Sequence, residues 1–487
     1  MKKIAVLIVL TGCAVGPNYK QPENNVSDTW ATNLQETIVS NDTPIVEWWK
    51  VFQDNLLNKY IVKAAEYNND VLMAESTLLQ ARALRQIAAS SFFPHLGADV
   101  NATKTYFSKN GPIFASSPSQ GILPGTLSPT TGLTLTPQFP QIQNLYNALF
   151  DASWEIDLFG KTRRTVEAAD AIIGAAIEQR NDTLISVMAE IARNYMELRS
   201  FQRRAQLIQE NIQLLEQKKL IVQKQLEAGY VSRLNYEYLL AQLATERALL
   251  PDIKAQIYRS IYTLSVLIGD VPEILTEELL EPKALPSIPD TVAVGLRSDL
   301  LRRRPDIRRA ERDLAAATAY IGVAVASFFP TITLLGDGGF QSLMVKNLFS
   351  LGSKTWALGG DLMMPIFEGG RLMGNLKAKR AETAATAHKY QQTVLTALEE
   401  TESALMSYTQ DQDTTHERKE TTDSYHHLVF LSQERYFKGL ISLIDLLDTE
   451  RQLNASEQAL LDSNTASLLD LITLYKALGG GWEIKEH

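Results

Sequence analysis

Ser91-Phe92-Phe93-Pro94 and Ser327-Phe328-Phe329-Pro330 are the same four residues, each after a helical stretch holding Ala-Glu (Ala74-Glu75, Ala310-Glu311) and before a short alternating run. A tetrapeptide that recurs in one local setting marks a structural unit written twice. A second pair of landmarks agrees, because Gly229 and Gly439 lie 210 positions apart and so do Gly269 and Gly479. After the first glycine of each pair the chain reads Tyr230-Val231-Ser232-Arg233-Leu234 in one copy and Leu440-Ile441-Ser442-Leu443-Ile444 in the other. The Ser-Phe-Phe-Pro offset is larger, 236 positions, so the first copy holds an insertion. Tyr106 to Gln143, rich in Pro, Gly, Ser and Thr, is where it fits.

The start of the chain sets the compartment. Lys2-Lys3 followed by the apolar run Ile4 to Leu10 is a short export signal, and it stops at Leu10-Thr11-Gly12-Cys13. That is a lipobox pattern, similar to the bacterial lipoprotein signal, which implies that Cys13 becomes an N-terminus carrying a diacylglyceryl thioether and an acyl chain. A lone cysteine inside a plain signal peptide is the competing reading. Ala14 is not the aspartate that usually retains a lipoprotein in the inner membrane, which favours the outer one. Cys13 is the only cysteine, so no intrachain disulfide forms. No later segment has the apolar length of a membrane helix, so a membrane crossing requires strands. A net charge of −9 argues against nucleic acid as a partner.

Helical patterning covers most of the chain. From Leu184 the apolar positions run Met188, Ile191, Tyr195, Leu198, Ala205, Ile208, Ile212, Leu215, Val222 and Leu226, with polar interruptions at Gln202 and Lys219. This is coiled-coil spacing with one three-residue stammer near Ala205. With no proline between Pro140 and Pro251 and no glycine between Gly174 and Gly229, one helix is predicted over about 165–228. At 1.5 Å per residue it is on the order of 90–100 Å long. Its partner is predicted from after Gly229 to about Ile268, with Pro251 as a candidate kink. The second copy repeats the pair over about 372–437 and 442–478. Helices of this length form an extended rod or assemble side by side.

The segments between them have period two. Tyr146, Ala148, Phe150, Ala152, Trp154, Ile156 and Leu158 alternate with a largely polar set, and Trp356, Leu358, Gly360, Leu362, Met364 and Ile366 do so in the second copy. Runs over 96–106 and 331–340 complete a hairpin in each copy. Each run is about as long as the 9–11 residues a tilted membrane strand needs, with aromatics available for the interfaces. Four strands do not close a barrel, and an open edge is not tolerated in lipid, so the chain must oligomerise to eight or twelve strands. A soluble antiparallel sheet with one wet face would show the same alternation; the export signal and the long helices favour the barrel.

Taken together, the residues resemble TolC-type outer-membrane efflux channels, in the lipoprotein branch that serves resistance-nodulation-division pumps. The resemblance runs over the whole mature chain. It is carried by Gly16-Pro17-Asn18-Tyr19, by Glu155-Ile156-Asp157-Leu158-Phe159-Gly160 with Arg163-Arg164, and by Leu301-Arg302-Arg303-Arg304-Pro305-Asp306-Ile307-Arg308. Pro365-Ile366-Phe367-Glu368-Gly369-Gly370-Arg371 and Ala477-Leu478-Gly479-Gly480-Gly481-Trp482 complete it. It implies a mixed α and β membrane protein built as a homotrimer. Four strands per chain would form a twelve-strand barrel, continued by a long periplasmic helical barrel with a mixed equatorial domain. It also implies partners: outer-membrane lipid, a periplasmic adaptor protein docking at the helical turns Gly229 and Gly439, and an inner-membrane pump.

The segments expected are a signal peptide over 1–12, an extended lipid-anchored stretch over 13–50, a first repeat over 51–270 and a connector over 271–302. A second repeat over 303–479 and a tail over 480–487 follow. The hairpins fall at about 95–158 and 331–367, and the helical pairs at about 160–270 and 370–478.

Asp445 and Asp448 stand three apart on one helix face just after Gly439. Similar channels carry such a pair at the closed periplasmic entrance, and Tyr436 matches a gate-linking tyrosine. Two departures stand out: Ile441 replaces a residue that is often charged, and Asn235 is the first-copy counterpart of Asp445. An ordinary solvated helix face is the plain alternative. Arg303-Arg304-Pro305-Asp306 reads as structural, with Pro305 suited to a first helical turn and the arginines to carboxylate partners.

No catalytic constellation stands out. Gly160-Lys161-Thr162 has Glu155 where a phosphate loop needs its first glycine and reads as a strand end, and His426-His427 lacks helical metal spacing. Nine scattered methionines form no thioether ladder. Neither a cofactor nor a metal is expected, and energy must come from a partner. The expected function is a passive exit duct for drugs or other small toxic compounds; export of metal cations or another cargo stays open. A periplasmic adaptor would carry one helical hairpin flanked by small β domains, whereas this chain carries two with strand pairs between.

Overall fold

The computed structural model describes residues 14–23, 26–32, 38–39, 46–108, 140–289 and 291–482. Cys13, the signal peptide, and the 109–139 part of the predicted insertion lie outside the described residues.

In chain order the elements are β1 (Ile38–Val39), a 3-10 helix (Trp48–Phe52), α1 (Asn55–Tyr67), α2 (Asn69–Ser90), β2 (His95–Tyr106) and β3 (Ile142–Ile156). The long pair α3 (Lys161–Glu227) and α4 (Arg233–Leu267) follows, then α5 (Thr276–Leu279), β4 (Val292–Ala293) and α6 (Leu300–Arg303). The second copy is α7 (Pro305–Ala326), β5 (Thr331–Ser342), β6 (Lys354–Met363), α8 (Arg371–Phe437) and α9 (Leu443–Ala477). The duplication holds to the residue: α3 and α8 both have 67 residues, and α4 and α9 both have 35. Pro251 lies inside α4 without ending it.

Two compact units divide the chain. The first comprises the N-terminal residues to Asn18 with Arg85–Ala168 and Thr318–Arg380. Its core is a four-stranded antiparallel sheet in the order β2-β3-β5-β6, with β2 and β6 at the free edges. Register puts like residues in rows. Leu96, Ala152, Gly336 and Leu358 stand side by side, as do Ala98, Phe150, Gly338 and Trp356, so one face is apolar across all four strands. The other face carries Gly97, Asp151 and Asp337 in one row and Asn101, Asn147 and Gln341 in another. The two Ser-Phe-Phe-Pro motifs sit at the feet of the strands. There Phe329 stacks on Phe159 at 4.7 Å, and Trp154 Nε1 donates to the Phe92 carbonyl at 3.0 Å.

The second unit comprises Tyr19–Leu84, Ala169–Ala317 and Ala381 onward. Met188, Ile191, Tyr195, Leu198, Ile208, Ile212, Leu215 and Val222 of α3 are all buried, the seam that the three-and-four spacing requires. The polar interruption at Gln202 has a cause: with buried Arg199 it reaches the connector, Gln202 Nε2 donating to Leu279 O at 2.6 Å and Arg199 Nη1 to Glu281 O at 3.2 Å. α1 buries Leu57, Tyr60, Ile61 and Ala64, one helical stripe, and is capped by Asp54, which accepts from Leu56 N and Leu57 N.

Several expected boundaries need correction. The 13–50 stretch is not simply extended. β1 pairs in parallel with β4, and the 3-10 helix straddles residue 50 and buries Trp48 and Trp49, Trp48 stacking on Tyr475 at 5.6 Å. The 302/303 boundary cuts α6; α3 begins at Lys161, in line with the helical pair expected over about 160–270 and four residues before the start at 165, because Asp157 caps it by accepting from Thr162 N and Arg163 N. Gly160-Lys161-Thr162 is therefore a helix start and not a strand end.

Candidate functional site

The tips of the two helical pairs are built alike. Gly229 and Gly439 take φ of 76° and 73°, the left-handed conformation that closes a helix most cheaply as glycine. The residue after each donates back across the turn, Tyr230 N to Gln225 O at 2.8 Å and Leu440 N to Arg435 O at 2.9 Å. The next helix then opens on a serine cap, Ser232 or Ser442.

The copies part at the third helical residue. Asp445 makes a full capping box: its Oδ2 accepts from Ser442 N at 3.0 Å and Ser442 Oγ at 2.8 Å, while its own N–H donates to Ser442 Oγ at 3.2 Å. In the first copy the Asn235 N–H donates to Ser232 O at 3.1 Å and to Ser232 Oγ at 3.4 Å, and among the described residues its side chain makes no return bond to Ser232. Asp448 accepts from Arg451 Nη2 at 2.6 Å and from Gln452 Nε2 at 2.8 Å. The Ser442 hydroxyl and backbone hold the Asp445 carboxyl below the usual range, and the Arg451 and Gln452 bonds do the same for Asp448. Both carboxylates are thus charged at neutral pH and face water at the tip. Tyr436 packs partly buried against the core beside Phe437, and no hydrogen bond links it to either aspartate among the described residues.

The polar face of the sheet carries Asp99, Asp151, Asp337 and Asp361, residues that composition alone did not single out. The strand register reveals them, because each falls on the odd face opposite the aromatic one. Gly97 lies opposite Asp151, and a Cβ there would come within 2.5 Å of its carboxylate.

Arg304 forms a clamp. Its guanidinium binds Asp306 through two donors at 3.0 and 2.7 Å, Glu400 of α8 at 2.7 Å and the Ala477 carbonyl at the end of α9 at 3.0 Å. Pro305 opens α7, and Arg304 before it is extended at ψ 120°, as a residue preceding proline must be. Arg303 departs from the expected carboxylate pairing: its carbonyl accepts from Trp482 Nε1 at 3.1 Å, and its buried Nε has no partner among the described residues.

The motifs at residues 16–19 and 155–164 meet at one place, which sequence reading did not foresee. Arg164 donates to the carbonyls of Val15 at 3.1 Å and Gly16 at 3.3 Å and to Asn18 Oδ1 at 2.7 Å. Val15 N donates to Phe159 O at 3.2 Å. Gly16, at φ 94°, lies so close to Gly322 that a Cβ would stand 2.5 Å from its Cα. The residue after Cys13 is therefore fixed at the foot of the strands, beside the Phe159–Phe329 stack.

Comparison with known proteins agrees with this geometry. The profile of the family described as outer membrane efflux protein matches residues 60–270 and 296–480. The toluene efflux pump outer membrane protein TtgF of Pseudomonas putida is 28% identical over 99% of this chain and 96% of its own length. Nodulation protein T of Rhizobium leguminosarum is 26% identical over 98% of this chain and 92% of its own. The structure of the outer-membrane channel OprN superposes with a TM-score of 0.83 at 29% identity, covering 96% of this chain and all of that one.

Proposed function

Because the chain belongs to the outer membrane efflux protein family, we propose that three copies join the free edges β6 and β2 into a twelve-strand barrel. The protein is an outer-membrane efflux channel, a passive exit duct that reaches into the periplasm. The observation that carries the assembly is the sheet itself. Four strands with two unpaired edges and one continuous apolar face leave backbone groups that lipid would penalise by several kcal/mol each. Pairing β6 of one copy with β2 of the next removes every edge and turns the Asp99, Asp151, Asp337 and Asp361 face inward, giving an acidic lumen.

Cys13 carries the lipid; the Arg164 bonds to Val15, Gly16 and Asn18, the residues that follow it, support that reading. Asp445 and Asp448 from three chains ring the periplasmic entrance with six carboxylates, and Tyr436 braces the helix that carries them. The turns at Gly229 and Gly439 receive a periplasmic adaptor, and a resistance-nodulation-division pump in the inner membrane supplies the energy. No group in the chain is assigned a chemical step; conduction needs only a wet, charged path.

The reading is tested in a planar bilayer. Purified protein should give discrete conductance steps. Asp445→Ala combined with Asp448→Ala should raise the leak and weaken block by multivalent cations. Conductance and block unchanged by the double substitution would remove the gate assignment, and a non-conducting monomer would remove the channel assembly.

A further inference from the structure

The end of the sheet remote from the Ser-Phe-Phe-Pro motifs has a charge of its own. From Val100 to Phe150, and again from Gly338 to Gly360, the sequence holds no carboxylate, although Asp and Glu number 56 in the chain. The charged residues of these two stretches are Lys104, Lys109, Lys346 and Lys354, of which Lys109 lies outside the described residues. Register fixes two of the others. Val100, Ala148, Phe340 and Lys354 form one row of the apolar face, and Lys104 stands four residues beyond Val100 on the same side of β2. The rim of the apolar face is therefore cationic on a chain whose net charge is −9.

The connection from β5 to β6 continues that face. It holds two 3-10 turns, Val345–Asn347 and Leu351–Ser353. They are tied by Ser353 Oγ donating to Asn347 O at 2.7 Å, and Ser342 Oγ donates to Met344 O at 2.9 Å. Phe349 meets Phe340 edge to face at 5.7 Å, so the loop lies against the last apolar row of the sheet. Yet Val345, Phe349 and Leu351 are 62%, 74% and 92% exposed. A loop that holds three large apolar side chains in the open by its own hydrogen bonds is built to enter an apolar environment. The sheet also needs the extension. Ile332 to Phe340 is eight steps, about 27 Å along an antiparallel strand and about 20 Å at a tilt of 40°, against a membrane band of about 25 Å. Phe349, packed on Phe340, lengthens it.

We propose that the β5–β6 loop lies in the outer leaflet, with Val345, Phe349 and Leu351 among the acyl chains and Lys104, Lys346 and Lys354 binding anionic, phosphate-bearing lipid headgroups. The proposal rests on the barrel reading above and names the lipid chemistry that its outer rim takes. Lysine suits the position, because its long stem covers apolar surface while the ammonium reaches the headgroup layer.

Depth is read from a fluorophore on Leu351→Cys in the full-length protein, reconstituted into phosphatidylcholine vesicles with brominated acyl chains. The brominated lipid should quench the label more than iodide present on both sides of the membrane. Parent protein treated with the same reagent measures any reaction at Cys13. Leu358→Cys, in the apolar row of Leu96, Ala152 and Gly336, is the reference for the barrel. Stronger quenching of residue 351 by iodide would place the loop in water, and protection from both quenchers would place it under protein; either overturns the proposal. If the label on residue 358 also escapes the brominated lipid, the barrel reading falls with it; if only residue 351 escapes, the barrel stands. The headgroup is read separately. With a minor fraction of brominated lipid, residue 351 should report about threefold enrichment of phosphatidylglycerol over phosphatidylcholine, less than the about fivefold that one lysine gains at a fully anionic surface. Lys104→Gln, Lys346→Gln and Lys354→Gln together should abolish the preference. No preference in the parent, or one that survives the triple substitution, would overturn the headgroup site.

Discussion

Replacing Arg164 by methionine should release the segment that follows Cys13 while leaving the sheet in place. The side chain is almost fully buried, and methionine keeps its apolar stem but none of its donors. The change strips partners from the Val15 and Gly16 carbonyls and from Asn18 Oδ1. A buried carbonyl left unpaired costs about 1–3 kcal/mol, and because residues 16–18 are exposed to water the lower part of that range applies to each. Two carbonyls and one side-chain oxygen then sum to about 2–3 kcal/mol, equivalent to opening about 30- to 150-fold more often. Val15 N–H, bonded to Phe159 O, is the reporting amide. Hydrogen exchange followed by mass spectrometry on a peptide spanning residues 14–20 should show that acceleration, with the amides of β3 unchanged. Gly16→Ala should reach the same state by another route, since its Cβ would collide with Gly322. Parent-like exchange at Val15 in Arg164→Met would show that the segment is held by something other than this clamp.

Arg304→Met should destabilise the helical unit by about 2–4 kcal/mol, less than the loss of one partner from a fully buried ion pair with an orphaned helix-end carbonyl, because Asp306 and Glu400 are partly exposed. Its denaturant midpoint should fall, and a double-mutant cycle with Glu400→Gln should show coupling; strict additivity would refute the clamp. Asp182→Asn should stabilise the protein at neutral pH. Burial, with the nearby Asp306 carboxylate adding to it, raises the Asp182 carboxyl above its ordinary value of 3.8, so the fold prefers the protonated form. Stability attributable to it is present below 3.8 and is lost as pH climbs through the raised value. The gain in melting temperature from the asparagine should therefore appear near pH 7 and vanish near pH 3, and a gain independent of pH would contradict the assignment.

The fold was legible wherever periodicity alone decides it. The landmarks Gly229, Gly439, Gly269 and Gly479 gave the 210-residue offset, and each proves to close a helix in the left-handed conformation. Strand faces followed equally from alternation, since burying every second residue is a local property. What stayed hidden depends on contacts between distant residues. Arg164 meets Asn18 across 146 positions and Arg304 meets Glu400 across 96, and no local pattern encodes such partners. Trp48 and Trp49 read as part of an extended leader because their burial arises from the far end of α9, where Tyr475 stacks on Trp48. Asp445 was visible as a charge and not as a cap, although Ser442 three residues before it is the signal that finds caps.

The two helical pairs share one backbone plan yet are zipped with different strength. In the first, Ile212, Val222, Ile253 and Ile257 lie buried along the seam. Their counterparts 210 positions on are Thr422, Ser432, Ser463 and Ser467, also buried. Exchanging an aliphatic side chain for a hydroxyl forfeits on the order of 2 kcal/mol of apolar burial per site. Hydrogen bonds return part of that: Thr415 pairs with Ser463 at 2.7 Å and Ser467 at 3.1 Å, and Thr422 donates to Ser456 O at 3.3 Å. At about 1 kcal/mol net for each such bond, the four exchanges leave these layers of the second pair weaker by several kcal/mol. The deficit lies along the body of the helices that carry Asp445 and Asp448, whereas Leu443, Leu446 and Leu447 stay buried beside the tip itself. Hydrogen exchange should accordingly be faster along 415–467 than along 205–257 in the intact protein. Restoring Ser463→Ile with Ser467→Ile should narrow the difference, and equal rates in the parent would show that the seam chemistry does not set the strength of the zip.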